Sequence, residues 1–96
     1  MAFAMAACDP QVMADKTVTN MARSVVVPVV SRDLPLAQAE RASDCILGAA
    51  DITEIRALAR DYGVEAGSQT KENIRNIGLR PAAQNCYAAS GVPALR

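Results

Sequence analysis

The chain has 96 residues, of which 51% are hydrophobic, and its ten basic residues balance its ten acidic ones. This length suits a single domain, and the apolar content argues against disorder. The zero net charge excludes a global field that would attract nucleic acid or an anionic membrane, and no apolar run reaches the roughly 20 residues that span a bilayer.

The first eight residues form a small, apolar segment that resembles the end of a bacterial lipoprotein signal. Met5-Ala6-Ala7 precedes Cys8, which is the order of a lipobox whose cysteine receives a lipid. This interpretation requires a reading frame that extends upstream with a basic start and about 7–15 apolar residues. The alternative is an apolar terminus with a free thiol. We therefore expect a signal-like remnant over residues 1–8 and a single helical domain over residues 9–96.

The first two predicted helices are bounded by proline and glycine. Asp9-Pro10 should begin a helix over about residues 10–27, because Asp caps free N–H groups and Pro is tolerated in the first turn. Pro28 lacks an N–H and should kink or end that helix. A second helix over about residues 35–48 begins at a proline and should stop at Gly48.

The clearest local signal is a capping box at the start of a third helix. Asp51 is the expected N-cap, and Glu54 follows three residues later, so that each side chain can satisfy the other's backbone N–H. The helix should end at Gly63. Its predicted buried face consists of Ile55, Leu58, Ala59 and Tyr62.

The last third of the chain carries two more helical patterns. Ile74, Ile77 and Leu79 mark a fourth helix. Arg80-Pro81 ends it and begins a fifth, which Gly91 closes. Since the chain has only three aromatic residues, the core must be built mainly from aliphatic side chains and alanine, which favours close-packed helices. The predicted fold is an all-α bundle of about four to five short helices closed by one disulfide.

The disulfide prediction rests on Cys45 and Cys86, which fall on the apolar sides of two different helices, 41 positions apart. Joining them would stabilise a small domain substantially. Two buried free thiols are the alternative, because cysteine also packs as a small hydrophobe. With no CxxC pair and no His, we expect no metal site and no catalytic thiol.

Between about Ala22 and Leu95 the chain carries a series of short motifs: Ser43-Asp44-Cys45-Ile46-Leu47, Asp51-Ile52-Thr53-Glu54-Ile55, Arg80-Pro81, Asn85-Cys86-Tyr87 and Gly91-Val92-Pro93. Their order resembles that of a family of short alphaproteobacterial exported proteins. Members of this family often begin with a lipoprotein signal, and the function of the family is not established. The resemblance implies export from the cytoplasm.

A nucleic-acid-binding domain is the alternative interpretation of residues 52–80. The apolar and glycine positions between Ile52 and Ile77 resemble the helix–extended loop–helix pattern of SAP-like domains. Lys71, Arg75 and Arg80 would then contact phosphates. Acidic residues among them and the zero net charge argue against this alternative.

The function expected from the sequence is that of a small exported module without catalysis. No constellation of catalytic residues and no cofactor motif is visible, so we expect neither an enzyme nor a cofactor-binding protein. The expected partner is another envelope protein, with a membrane tether through Cys8. The expected location is the periplasm or the periplasmic side of a membrane, with the cytoplasm as the alternative.

Overall fold

A computed structural model describes residues 10–93 of the chain. In this range there are five α-helices and no strand. In chain order the helices are α1 (Pro10–Val30), α2 (Leu36–Ala49), α3 (Ile52–Ala59), α4 (Ser68–Gly78) and α5 (Pro81–Ser90). The predicted all-α fold is confirmed.

The capping signals at the start of α3 and at both ends of α5 lie where the sequence places them. The Glu54 backbone N–H donates to Asp51 Oδ1 at 2.8 Å, and the Asp51 N–H donates to Glu54 Oε1 at 3.0 Å. These two bonds form the predicted capping box at the start of α3. At the other end of the chain, Pro81 occupies the first turn of α5, and Gly91 ends that helix with φ of 73°. Glycine suits this position because it adopts the left-handed conformation without steric strain.

The sequence suggested that α1 would end near residue 27 because of Pro28, but the helix does not end there. The helix continues through Pro28 to Val30. Pro28 lies on the exposed side of the helix, where water can satisfy the Ser24 carbonyl that has lost its N–H partner. Val26 and Val30, one turn apart, are buried on the opposite side. Their burial holds the last turn in the helical conformation.

The expected roles of Gly48 and Tyr62 are also wrong. Gly48 lies inside α2, which ends one residue later, because the chain turns extended at Ala50 to reach the N-cap of α3. Tyr62 is 54% exposed. Helix α3 ends at Ala59 and not at Gly63, as the sequence suggested, so the helical spacing that would have brought Tyr62 to the buried face stops before Tyr62.

Helix α2 lies at the centre of the bundle and contacts α1, α4 and α5, while α3 packs on α1 and α4. Ala39 and Ala42 of α2 are fully buried, and their small side chains allow the neighbouring helices to approach closely. Tyr87 of α5 is the largest fully buried side chain. The core is therefore aliphatic, with one aromatic ring on the α5 side.

Candidate functional site

The predicted disulfide joins Cys45 of α2 to Cys86 of α5. The two Cα atoms are 5.5 Å apart, a usual separation for a disulfide. Cys45 is buried, whereas Cys86 is partly exposed at the edge of the core. The bond attaches the last helix to the central helix of the bundle.

Arg80 forms a cluster that ties three helix ends together. Its Nη1 donates to Glu54 Oε1 at 2.8 Å and to the Ala49 carbonyl oxygen at 2.9 Å, and its Nη2 donates to Glu54 Oε2. Glu54 Oε1 also accepts the N–H of Asp51. The end of α2, the start of α3 and the start of α5 therefore meet at one guanidinium group.

The charges of this cluster stabilise each other. The hydrogen bond from Arg80, together with that from the Asp51 backbone, holds the pKa of Glu54 below its ordinary value. The same carboxylate raises the pKa of Arg80. Glu54 uses both carboxylate oxygens in these bonds, which favours a structural role for the pair rather than proton transfer.

Lys71 and Arg75 line a groove between α4 and the end of α1. Its volume is about 170 Å³. The lining residues are Val29, Val30, Asp33, Lys71, Ile74, Arg75 and Leu79. Val30 and Ile74 are buried and form its floor, and Leu79, which is 39% exposed, contributes to its wall. The groove thus combines an apolar floor with two cations and one carboxylate.

The two cations of the groove differ from Arg23 and Arg80, which are held in ion pairs. Arg23 pairs with Asp44 at 2.8 Å, and Arg80 pairs with Glu54. Within the part of the chain that the structure describes, no acidic side chain lies within ion-pair distance of Lys71 or Arg75. Lys71 and Arg75 are four residues apart on one helix, so their side chains lie on the same face. Their charges remain available to a ligand.

A second recess of about 150 Å³ shares Val29 and Lys71 with the groove. It extends along α1 towards the loop between α3 and α4. Its further lining residues are Ser24, Val25, Pro28, Arg32, Val64, Glu65 and Ala66. Val64 is 67% exposed. The two recesses form one elongated, mixed apolar and charged surface.

The three cations of the nucleic-acid alternative are divided by the fold. Lys71 and Arg75 line the groove, whereas Arg80 is held by Glu54 and Ala49. The sequence gives no local signal for the Arg80 pairing, because Glu54 lies 26 positions away. Asp33 and the apolar floor were not predicted as parts of a site either.

Tyr87 of α5 is hydrogen-bonded to the end of α4. Its hydroxyl donates to the Gly78 carbonyl oxygen at 3.0 Å. Burial raises the pKa of Tyr87 to about 12. The hydroxyl therefore remains protonated near neutral pH and acts as a fixed donor between α4 and α5.

Cys8, the lipidation candidate, and Asp9 lie outside the described residues, as does the proposed remnant over residues 1–8. Among residues 10–93, no group of three His, Cys, Asp or Glu side chains is arranged to hold a metal ion. Nor does any helix in that range have the length and apolar content to cross a membrane.

Comparison of the chain with protein-family models, with curated proteins and with solved structures gave no match.

Proposed function

We propose that this protein is a small exported helical module that binds a partner in the cell envelope and performs no catalysis. The observation that carries the proposal is the Cys45–Cys86 disulfide. Disulfides form and persist in oxidising compartments such as the bacterial periplasm and are rare in the cytosol. The lipobox-like order Met5-Ala6-Ala7-Cys8 supports the same location and adds a lipid tether.

The binding role is supported by the α1–α4 groove. An apolar concavity with a few charged groups at its edge is the usual form of a ligand site. Lys71 and Arg75 provide such groups, and within residues 10–93 neither side chain forms an ion pair with an acidic residue. The Glu54–Arg80 pair, in contrast, serves the joint between helices.

Cell fractionation tests the export proposal. The natural gene, with a C-terminal epitope tag, is expressed in its host, and the cytoplasmic, periplasmic and membrane fractions are separated. We expect the wild-type protein in the membrane fraction and the Cys8→Ala variant outside it, because only the wild type can be lipidated. Wild-type protein found with the cytoplasmic markers would overturn the proposal.

Nucleic-acid binding over residues 52–80 is the second candidate, because Lys71 and Arg75 lie on one face of α4. Asp33 lies in the same groove and Glu65 in the adjoining recess, and both would repel phosphate. Arg80 is engaged by Glu54. We expect no shift of labelled DNA or RNA by micromolar protein at physiological salt. A shift that Lys71→Ala with Arg75→Ala abolishes would favour this second candidate.

A further inference from the structure

The size of the α1–α4 groove limits what can fill it. Its volume of about 170 Å³ is well below the roughly 300–1,000 Å³ of sites for drug-sized ligands. A cavity of about 150 Å³ holds a group the size of benzene. The floor of valine and isoleucine is therefore matched to one aliphatic or aromatic side chain.

The charges of the groove limit the ligand further. Lys71 and Arg75 carry two positive charges, and Asp33 carries one negative charge, so the lining has an excess of one positive charge. A ligand with one carboxylate cancels this excess. Asp33 would repel that carboxylate, but it accepts a hydrogen bond from any N–H that the ligand places beside it.

The C-terminal residue of a polypeptide has all three features: a carboxylate, one side chain and an amide N–H. The recess that shares Val29 and Lys71 with the groove provides space for the residues that precede it. A simple aliphatic acid has no donor for Asp33 and no atoms for the second recess. A free amino acid carries an additional positive charge, which leaves the excess charge of the groove uncancelled.

We propose that the α1–α4 groove binds the C-terminus of a partner polypeptide that ends in an apolar residue. The terminal carboxylate pairs with Lys71 and Arg75, the terminal N–H donates to Asp33, and the side chain packs on Val30 and Ile74. Capture of a terminal carboxylate is a known mode of peptide recognition. The proposal rests on the proposed function as a binding module and specifies its ligand.

The test uses the full oxidised chain and follows amide chemical shifts by NMR during titration with N-acetyl-L-leucine. This probe has 12 non-hydrogen atoms, so we expect binding in the millimolar range. The shifts should concentrate at Val29, Val30, Ile74, Arg75 and Leu79. N-acetyl-L-leucine amide, which lacks the carboxylate, should bind at least about tenfold more weakly. N-acetyl-Ala-Ala-Leu should bind more tightly than N-acetyl-L-leucine, because it reaches the second recess.

Matched variants separate the effect of the groove cations from the effect of net charge. The double variant Lys71→Gln with Arg75→Gln should weaken the binding of N-acetyl-L-leucine by about tenfold or more. Arg41→Gln with Arg60→Gln makes the same change of net charge at two exposed arginines outside the groove and should leave the affinity unchanged. Circular dichroism of both double variants should show the same helical content as the wild type, which is the control for folding.

The Asp33→Ala variant distinguishes a peptide C-terminus from a simple carboxylic acid. It should weaken the binding of N-acetyl-L-leucine by about 2- to 10-fold through the loss of one hydrogen bond. The same variant should strengthen the binding of 4-methylpentanoate, which has the carboxylate and the branched chain but no N–H. Equal effects on both probes would overturn the role of Asp33 and with it the proposal.

Other outcomes identify a different occupant. Equal binding of the acid and the amide, or no binding of either, would overturn the inference while leaving the export result standing. Tighter binding of free leucine would assign the groove to amino acids. Groove shifts that depend on protein concentration alone would assign it to a second copy of the chain, and oligonucleotide binding lost with Lys71 and Arg75 would assign it to nucleic acid. Each of these results would refute the peptide proposal.

Discussion

The energetic contribution of the Cys45–Cys86 disulfide follows from the loop that it closes. The two cysteines are 41 positions apart, and closing a loop of that length lowers the entropy of the unfolded chain by an amount worth about 4 kcal/mol at 25 °C. Small domains are stable by about 5–15 kcal/mol in total. Reduction should therefore remove a large part of the stability without changing any other atom.

Urea unfolding of the Cys8→Ala protein, followed by circular dichroism with and without a phosphine reductant, measures this contribution. The Cys8→Ala background removes the third thiol and so prevents disulfide exchange. With a slope of about 2 kcal/mol per molar urea, we expect reduction to lower the midpoint by about 2 M. Cys45→Ala with Cys86→Ala should have a midpoint at or below that of the reduced protein, because it also loses the packing of a buried sulfur.

Coincident midpoints for the oxidised and reduced proteins would refute this reasoning. They would mean either that the cysteines are not joined or that the unfolded chain is already restricted to the same extent. Mass spectrometry of the oxidised sample, digested without reduction, distinguishes these two explanations. Oxidised wild-type protein serves as the control, and its urea midpoint should equal that of the Cys8→Ala protein without reductant.

Three further predictions concern the joints between helices. Tyr87→Phe should lower the free energy of unfolding by about 0.5–1.5 kcal/mol, because the Gly78 carbonyl loses one donor but keeps Gln84 Nε2 at 3.2 Å; a loss above about 3 kcal/mol in urea unfolding would contradict this reading. Asp51→Ala should cost about 0.5–2 kcal/mol by removing the N-cap of α3, and an unchanged midpoint would show that the capping box does not stabilise the helix. Because hydrogen bonds lower the pKa of Glu54, its contribution to stability is complete above its ordinary pKa of 4.5 and is lost as the pH falls through the lowered value. The stability difference between wild type and Glu54→Gln should therefore be constant near neutral pH and shrink in acid, whereas a difference that grows in acid would refute the pairing with Arg80.

Parts of the fold with strong local signals could be predicted from the sequence. The capping box at Asp51 and the glycine end of α5 at Gly91 depend on residues within one helical turn. The ends of α1 and α2 were misplaced, because Pro28 and Gly48 lie on exposed sides of helices that packing extends beyond them. Local propensity is a weak guide where burial of neighbouring residues decides the outcome.

The candidate site was less predictable than the fold. The Cys45–Cys86 pair could be predicted because both cysteines fall on the apolar sides of predicted helices. Arg80 looked like a free cation, since nothing near it in sequence reveals its bond to Glu54. The groove joins residues of α1 with residues of α4, and no periodicity within one helix indicates which faces meet across such a distance.

The oxidation state of the cysteines in the native host tests the central claim most directly. Cells are quenched in acid, free thiols are alkylated without reductant, and the digested protein is analysed by mass spectrometry. An exported, disulfide-closed module predicts a peptide pair linked through Cys45 and Cys86, with neither residue alkylated. Recovery of both residues in alkylated form would contradict the disulfide in the cell and, with it, the observation on which the proposed export rests.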